Sequence, residues 1–144
     1  MKISDRMSQE VWVAAPDNTI QSAAQAMADI DAGFLPVAHD DRLIGIVTDR
    51  DIAIRGVAAG YPPETNVCEV MSEEIKYCFA DDQVEDVLEN IGDIQVRRLP
   101  VVDRDKRLVG IVSITDLTEN GDSAFVGEAL RDIACPSTLH SQTV

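Results

Sequence analysis

Basic residues are scarce in this chain. Twelve Lys and Arg stand against 26 Asp and Glu in 144 residues, a formal net charge of -14. So acidic a surface works against the phosphate neutralisation on which nonspecific nucleic-acid binding depends. It also works against docking on anionic lipid. An anionic small molecule remains admissible, because a few placed arginines can override the global field locally. Long apolar runs are missing too, and no stretch approaches the roughly 18 residues of a membrane span. Met1 to Glu10 carry no apolar segment of the signal-peptide kind. Cysteine is limited to Cys68, Cys78 and Cys135, without a Cys-x-x-Cys pair, and histidine to His39 and His140. That supply argues against a structural zinc site. It leaves little material for acid-base chemistry near neutral pH. Neither a Gly-x-x-x-x-Gly-Lys loop nor a Gly-x-Ser-x-Gly elbow is present. The expectation is a cytoplasmic, non-catalytic protein without a metal, in which Cys78 is a small buried hydrophobe.

What the chain does have is ordinary globular composition, 45% hydrophobic and 26% charged, and an internal repeat. Met7-Ser8 returns 64 positions later as Met71-Ser72, Asp17 as Asp81, and Leu35-Pro36-Val37 as Leu99-Pro100-Val101. From there the offset is 65: Arg42-Leu43 matches Arg107-Leu108, Gly45-Ile46-Val47 matches Gly110-Ile111-Val112, and Asp51 matches Asp116. One added residue between Asp103 and Arg107 accounts for the change, in a polar turn where insertion costs least.

Each unit reads alike. Asp17-Asn18-Thr19 offers a helix cap, and Ile20, Ala23, Ala24 and Met27 recur at helical spacing. Asp81-Asp82 followed by Val84, Val87, Leu88 and Ile91 repeats that pattern. Two strands joined by a polar turn follow, Phe34 to Ala38 with Leu43 to Val47, then Arg98 to Val102 with Arg107 to Val112. Asp49 to Ala59 reads as a second helix stopped by Gly60. The fold class is therefore α/β (α+β), two β-α-β-β-α repeats packed with pseudo-two-fold symmetry. The expected division is 1–60 for the first repeat, 61–70 for a linker, 71–120 for the second repeat, and 121–144 for a terminal helix (Ser123 to Ala134) and polar tail. Units this small bury a sheet face poorly alone, so the two should share one body.

Candidate chemistry sits where a strand ends and a helix opens. Thr48 with Asp51, and Ser113 with Asp116, place a hydroxyl three residues before a carboxylate. One reading is helix capping. The other is a ribose and phosphate clamp, since a carboxylate accepts both hydroxyls of a vicinal diol while helix N–H groups suit phosphate. Both readings stay open on the residues alone.

The Leu-Pro-Val strand, the Gly-h-h-Thr/Ser-x-x-Asp segment (h apolar) and the Met-Ser start together resemble a tandem pair of cystathionine-beta-synthase (CBS) domains. The resemblance covers about Asp5 to Asn120 and extends to small stand-alone bacterial members. It implies a regulatory module binding AMP, ADP or ATP in a cleft between repeats, with S-adenosylmethionine or a dinucleotide as further candidates. It also implies a homodimer, helped by small residues such as Ala23, Ala24, Ala58 and Ala59. By resemblance, Asp51 and Asp116 take the ribose, Thr48 and Ser113 sit beside ribose and phosphate, and Arg97 and Arg98 reach phosphate. The first repeat has Gly33 and Phe34 at the arginine positions, with Arg50 and Arg55 nearby. Tyr77 and Phe79 either flank an adenine or pack on the core. Trp12 either stacks on a base or covers an edge. The competing reading is a structural or protein-interaction module without a nucleotide, and in either case output passes to a protein effector.

Overall fold

The computed structural model describes residues 1–94, 98–113 and 116–117. Arg97, the expected helix Ser123 to Ala134, Cys135 and His140 lie outside the described residues.

Helix α1 spans Ile20–Ile30. Thr19 caps it, its Oγ1 accepting the Ser22 N–H at 3.0 Å. Ile20, Ala23 and Met27 form its buried stripe. The helix ends at Asp31, whose φ of 52° lies in the left-handed region. Strands β1 (Phe34–His39) and β2 (Arg42–Thr48) pair antiparallel. Each runs slightly beyond the expected range because the turn needs only two residues. Asp40 and Asp41 supply it with φ of 51° and 65°, the sign that matches strand twist and that Asp tolerates.

The second unit has β3 (Cys78–Phe79), α3 (Val84–Ile94), β4 (Arg98–Val102) and β5 (Leu108–Ser113). Its sheet order is β3-β4-β5, with β3 parallel to β4 and β4 antiparallel to β5. In the first unit the strand before α1 is reduced to one parallel bridge, Ala14 to Val37. The hairpins are equivalent pair for pair: Leu35 faces Val47, and Leu99 faces Val112.

The two units exchange their leading segments. Ser8 bonds both ways with Ile111 on β5, at 2.8 and 2.9 Å, and Ser72 does the same with Ile46 on β2, at 2.8 and 3.0 Å. Ile3 is thereby buried with Leu88, Leu99 and Val112 in the second core. Val67 and Val70 are buried with Ile20, Val37 and Val47 in the first. Residues 61–70, expected as a linker, thus supply two core side chains. The hairpin turns also meet, the Leu108 N–H donating to the Asp41 carbonyl at 2.8 Å.

Exchange explains the glycine of each Gly-h-h segment. A Cβ on Gly110 would stand 2.6 Å from Met7 Sδ and 2.9 Å from the Ser8 carbonyl. On Gly45 it would stand 2.6 Å from Met71 Sδ and 3.0 Å from the Ser72 carbonyl. These glycines admit the crossing Met-Ser segments.

The second helix of the first unit, α2, differs from expectation. It begins as an α-turn at Asp49–Asp51 and continues as a wider π-helix at Ile52–Val57. Gly56 lies buried in that widened stretch, with room for a Cβ only 3.2 Å from Ile20 Cδ1. Gly60 then turns the chain with φ of 84°. Ala23 is buried inside its own unit, whereas Ala24, Ala58 and Ala59 are exposed.

Candidate functional site

Strand β5 ends at Ser113, and Asp116 lies in a helical segment. The two residues bond reciprocally. The Ser113 N–H donates to Asp116 Oδ2 at 2.9 Å, and the Asp116 N–H donates to Ser113 Oγ at 3.2 Å. Thr48 and Asp51 repeat this, both bonds measuring 3.0 Å. These are capping boxes, so the capping reading describes the geometry of both segments. It does not consume the carboxylates. Each cap engages one oxygen, and an ionised carboxylate offers about four lone-pair directions.

Ser113 and Asp116 line a cavity of about 320 Å³ that draws on both units. Arg98 lines it too, standing directly opposite Ser113 across the β4–β5 pair. The first unit contributes Glu10, Trp12, Ile30, Phe34 and Pro36. The cleft therefore has a polar end, with a hydroxyl, a carboxylate and a guanidinium, and an apolar end with two aromatic rings. Trp12 is 54% exposed, so its ring borders the opening. Of the expected site residues, the structure brings Arg98, Ser113 and Asp116 together. Thr48 and Asp51, expected at a pseudo-symmetric second site, are not among the cavity's lining residues.

The Thr48–Asp51 segment has a different companion. Arg55 donates from Nη1 to the Met71 carbonyl at 3.2 Å, and its Nε lies 3.9 Å from Asp51 Oδ1. The arginine on α2 therefore faces the carboxylate and the crossing segment together.

Tyr77 and Phe79 do not line the Asp116 cavity. They pack edge to face, with centroids 5.6 Å apart. The Arg104 guanidinium lies 4.1 Å over the Phe79 ring and holds Asp81 through two bonds of 2.7 and 3.0 Å. That partner keeps the Asp81 carboxyl below the usual carboxylate range. Cys78 is buried, and burial, aided by the negative charge of Asp82, pushes its thiol up to about 12. It is inert packing.

Sequence reasoning missed Glu10 and Phe34 as lining groups and left Trp12 undecided. Glu10 and Trp12 lie two positions apart, the spacing that puts strand residues on one face. No pattern within the segment says which unit's cleft that face meets. Among the described residues, no group of three or more His, Cys, Asp or Glu is placed to hold a metal ion. Among them, no helix is long and apolar enough to cross a membrane.

Comparison with known proteins defines the class. The CBS domain family matches residues 3–56 and 67–122, and the chain belongs to that family. Its members are typically regulatory modules rather than catalysts. Over 133 residues the chain is 40% identical to the CBS domain-containing protein YhcV of Bacillus subtilis, spanning 92% of this chain and 94% of that protein. It is 37% identical over 139 residues to hypoxic response protein 1 of Mycobacterium tuberculosis, spanning 95% and 96%. A crystal structure of hypoxic response protein I with two coordinated zinc ions superposes with a TM-score of 0.75, covering 85% of this chain and all of that one. CBSX2, solved with AMP, is 25% identical with a TM-score of 0.72, covering 81% and 92%. The CBS pair of protein MJ0100, solved with 5′-methylthioadenosine and S-adenosylmethionine, is 26% identical with a TM-score of 0.69, covering 82% and 93%.

Proposed function

We propose that this protein is a cytosolic regulatory sensor that binds an adenosine nucleotide in the cleft bordered by Arg98, Ser113 and Asp116. The observation that carries this reading is the convergence of those three side chains with Trp12 and Phe34 in one cavity. Asp116 accepts the ribose diol, Ser113 approaches ribose or phosphate, and Arg98 pairs with phosphate. The aromatic and aliphatic end takes the base. The adenosyl ligands of the two CBS relatives support this class of ligand.

The cleft's size and charge favour a single nucleoside with few phosphates. About 320 Å³ is at the small end of ligand cavities, which disfavours a dinucleotide. Among the described lining residues Arg98 is the one cation, set against Glu10 and Asp116. AMP is therefore favoured over ADP and ATP. Glu10 also supports a second reading, an adenosyl compound with a positive substituent such as S-adenosylmethionine.

Calorimetric titration with AMP, ADP, ATP and S-adenosylmethionine tests both readings. Dissociation constants from micromolar to millimolar are expected, about 4–8 kcal/mol. Absence of binding by all four at millimolar concentration would overturn the sensor and favour an interaction module without a nucleotide. The sensor passes its state to a protein effector as a homodimer. Exposed Ile54 and Val57 on α2, 55% and 68% exposed, would supply its apolar contact, and a two-fold interface closes on itself. Sedimentation should return about twice the chain mass, and a strict monomer at micromolar concentration would refute the dimer.

A further inference from the structure

A second cavity, of about 500 Å³, lies on another side of the leading segment of the first unit. Val13, Ala15, Ala38, Asp40, Asp41 and Val109 are among its lining residues, and among the described residues it shares only Val11 with the lining of the Asp116 cleft. The repeat shows what such a space takes. At the corresponding positions of the second unit Val13 is replaced by Tyr77, Ala15 by Phe79 and Ala38 by Val102. There the Phe79 ring is half-buried beneath the Arg104 guanidinium, which is anchored on Asp81.

The local frame is the same in both units. The Ala15 N–H donates to Asn18 Oδ1 at 2.8 Å, as the Phe79 N–H donates to Asp82 Oδ2 at 2.9 Å. The first unit keeps Asp17 where the second has Asp81. Its hairpin turn carries Asp40 and Asp41 where the second turn carries Arg104. So it has the acids and the space, without the rings and without a cation at the position of Arg104. The His39 imidazole, 3.4 Å from Asp40 Oδ2, and Arg42, its partner across the hairpin, are the basic side chains flanking that turn.

We propose that this cavity docks a segment of a partner protein in which an aromatic residue adjoins an arginine. The ring occupies the space over Ala15 that Phe79 fills in the other unit. The arginine meets the carboxylates of Asp40, Asp41 and Asp17, as Arg104 meets Asp81. Charge complementarity favours a basic partner for a chain of net charge -14. The site is separate from the nucleotide reading and does not depend on it.

The probe is the dipeptide acetyl-Phe-Arg-amide, titrated to millimolar concentration and followed by amide NMR shifts. Saturable shifts at Val13, Ala15, Ala38 and Asp41 are expected. Acetyl-Ala-Arg-amide and acetyl-Phe-Glu-amide should bind several-fold more weakly. Ala15→Phe copies the second unit and should abolish the shifts. Asp40→Asn with Asp41→Asn preserves residues that tolerate positive φ and should weaken binding roughly three- to fivefold, as for partly exposed charge pairs. AMP titration of the same folded variants separates this site from the Asp116 cleft. Absent shifts, equal binding of the control peptides, or unchanged binding by the folded Asn variant would each overturn the proposal.

Discussion

Arg98 stands directly across from Ser113 in the β4–β5 pair, whereas Phe34 stands across from Thr48 in β1–β2. The two positions are equivalent in the repeat, yet one offers a guanidinium and the other a phenyl ring. Asp116→Asn should therefore weaken AMP binding by about 1.5–3 kcal/mol, the scale of charge-assisted hydrogen bonds. The amide oxygen still caps the Ser113 N–H, so the melting temperature should hardly move. Asp51→Asn should matter less at the Arg98 cleft, and Asp105→Ala in the exposed turn should leave binding unchanged. Calorimetry on the three variants checks that order; an unaffected Asp116→Asn refutes the site.

Trp12 is the single tryptophan and borders the cleft. AMP should change its fluorescence in intensity or wavelength along the same isotherm that calorimetry records. Binding without any change in emission would remove Trp12 from the ligand's surroundings.

Gly45 and Gly110 are needed for close approach of the Met-Ser segments. Gly110→Ala should destabilise by about 1–3 kcal/mol, the cost of overpacking, because the Ser8 carbonyl is backbone and yields less readily than Met7. Gly45→Ala should act alike, and Gly60→Ala through its positive φ instead. Urea unfolding measures the loss in each; a neutral Gly110→Ala would show that the segments can shift apart freely.

The Asp81–Arg104 pair sets a pH dependence. Arg104 lowers the Asp81 carboxyl below its ordinary 3.8. The stabilisation is therefore fully present above that unfolded value and is lost as pH falls through the lower folded value. The melting-temperature advantage of the parent over Arg104→Ala should be steady from pH 7 to about 5 and shrink below about 4. It should be small, since both groups are exposed. An advantage that grows on acidification would contradict the pairing.

Cys68 is exposed and Cys78 is buried, with the Cys78 thiol pushed up to about 12. Iodoacetamide at pH 8 should modify Cys68 in the folded protein and reach Cys78 only in denaturant. Peptide mass mapping reads this directly, and rapid modification of native Cys78 would contradict its burial.

The sequence by itself determined whatever depends on periodicity and on local chemistry. Ile20, Ala23 and Met27 announced α1, the Leu-Pro-Val pairs announced equivalent strands, and the spacing of Ser113 and Asp116 announced a helix start. Duplication made each of these readable twice. Only the tertiary structure decided which unit a side chain serves. Ile3 and Val67 are buried against the opposite repeat, and Gly110 is small because Met7 crosses it. Trp12 and Arg98, 86 positions apart, share a cleft because the leading segment of the first unit pairs with β5 of the second. The π-helix at Ile52–Val57 was equally illegible, since the residues there read as an ordinary helix. Such relations are set by chain crossing and packing at long range, and local propensity carries no record of them.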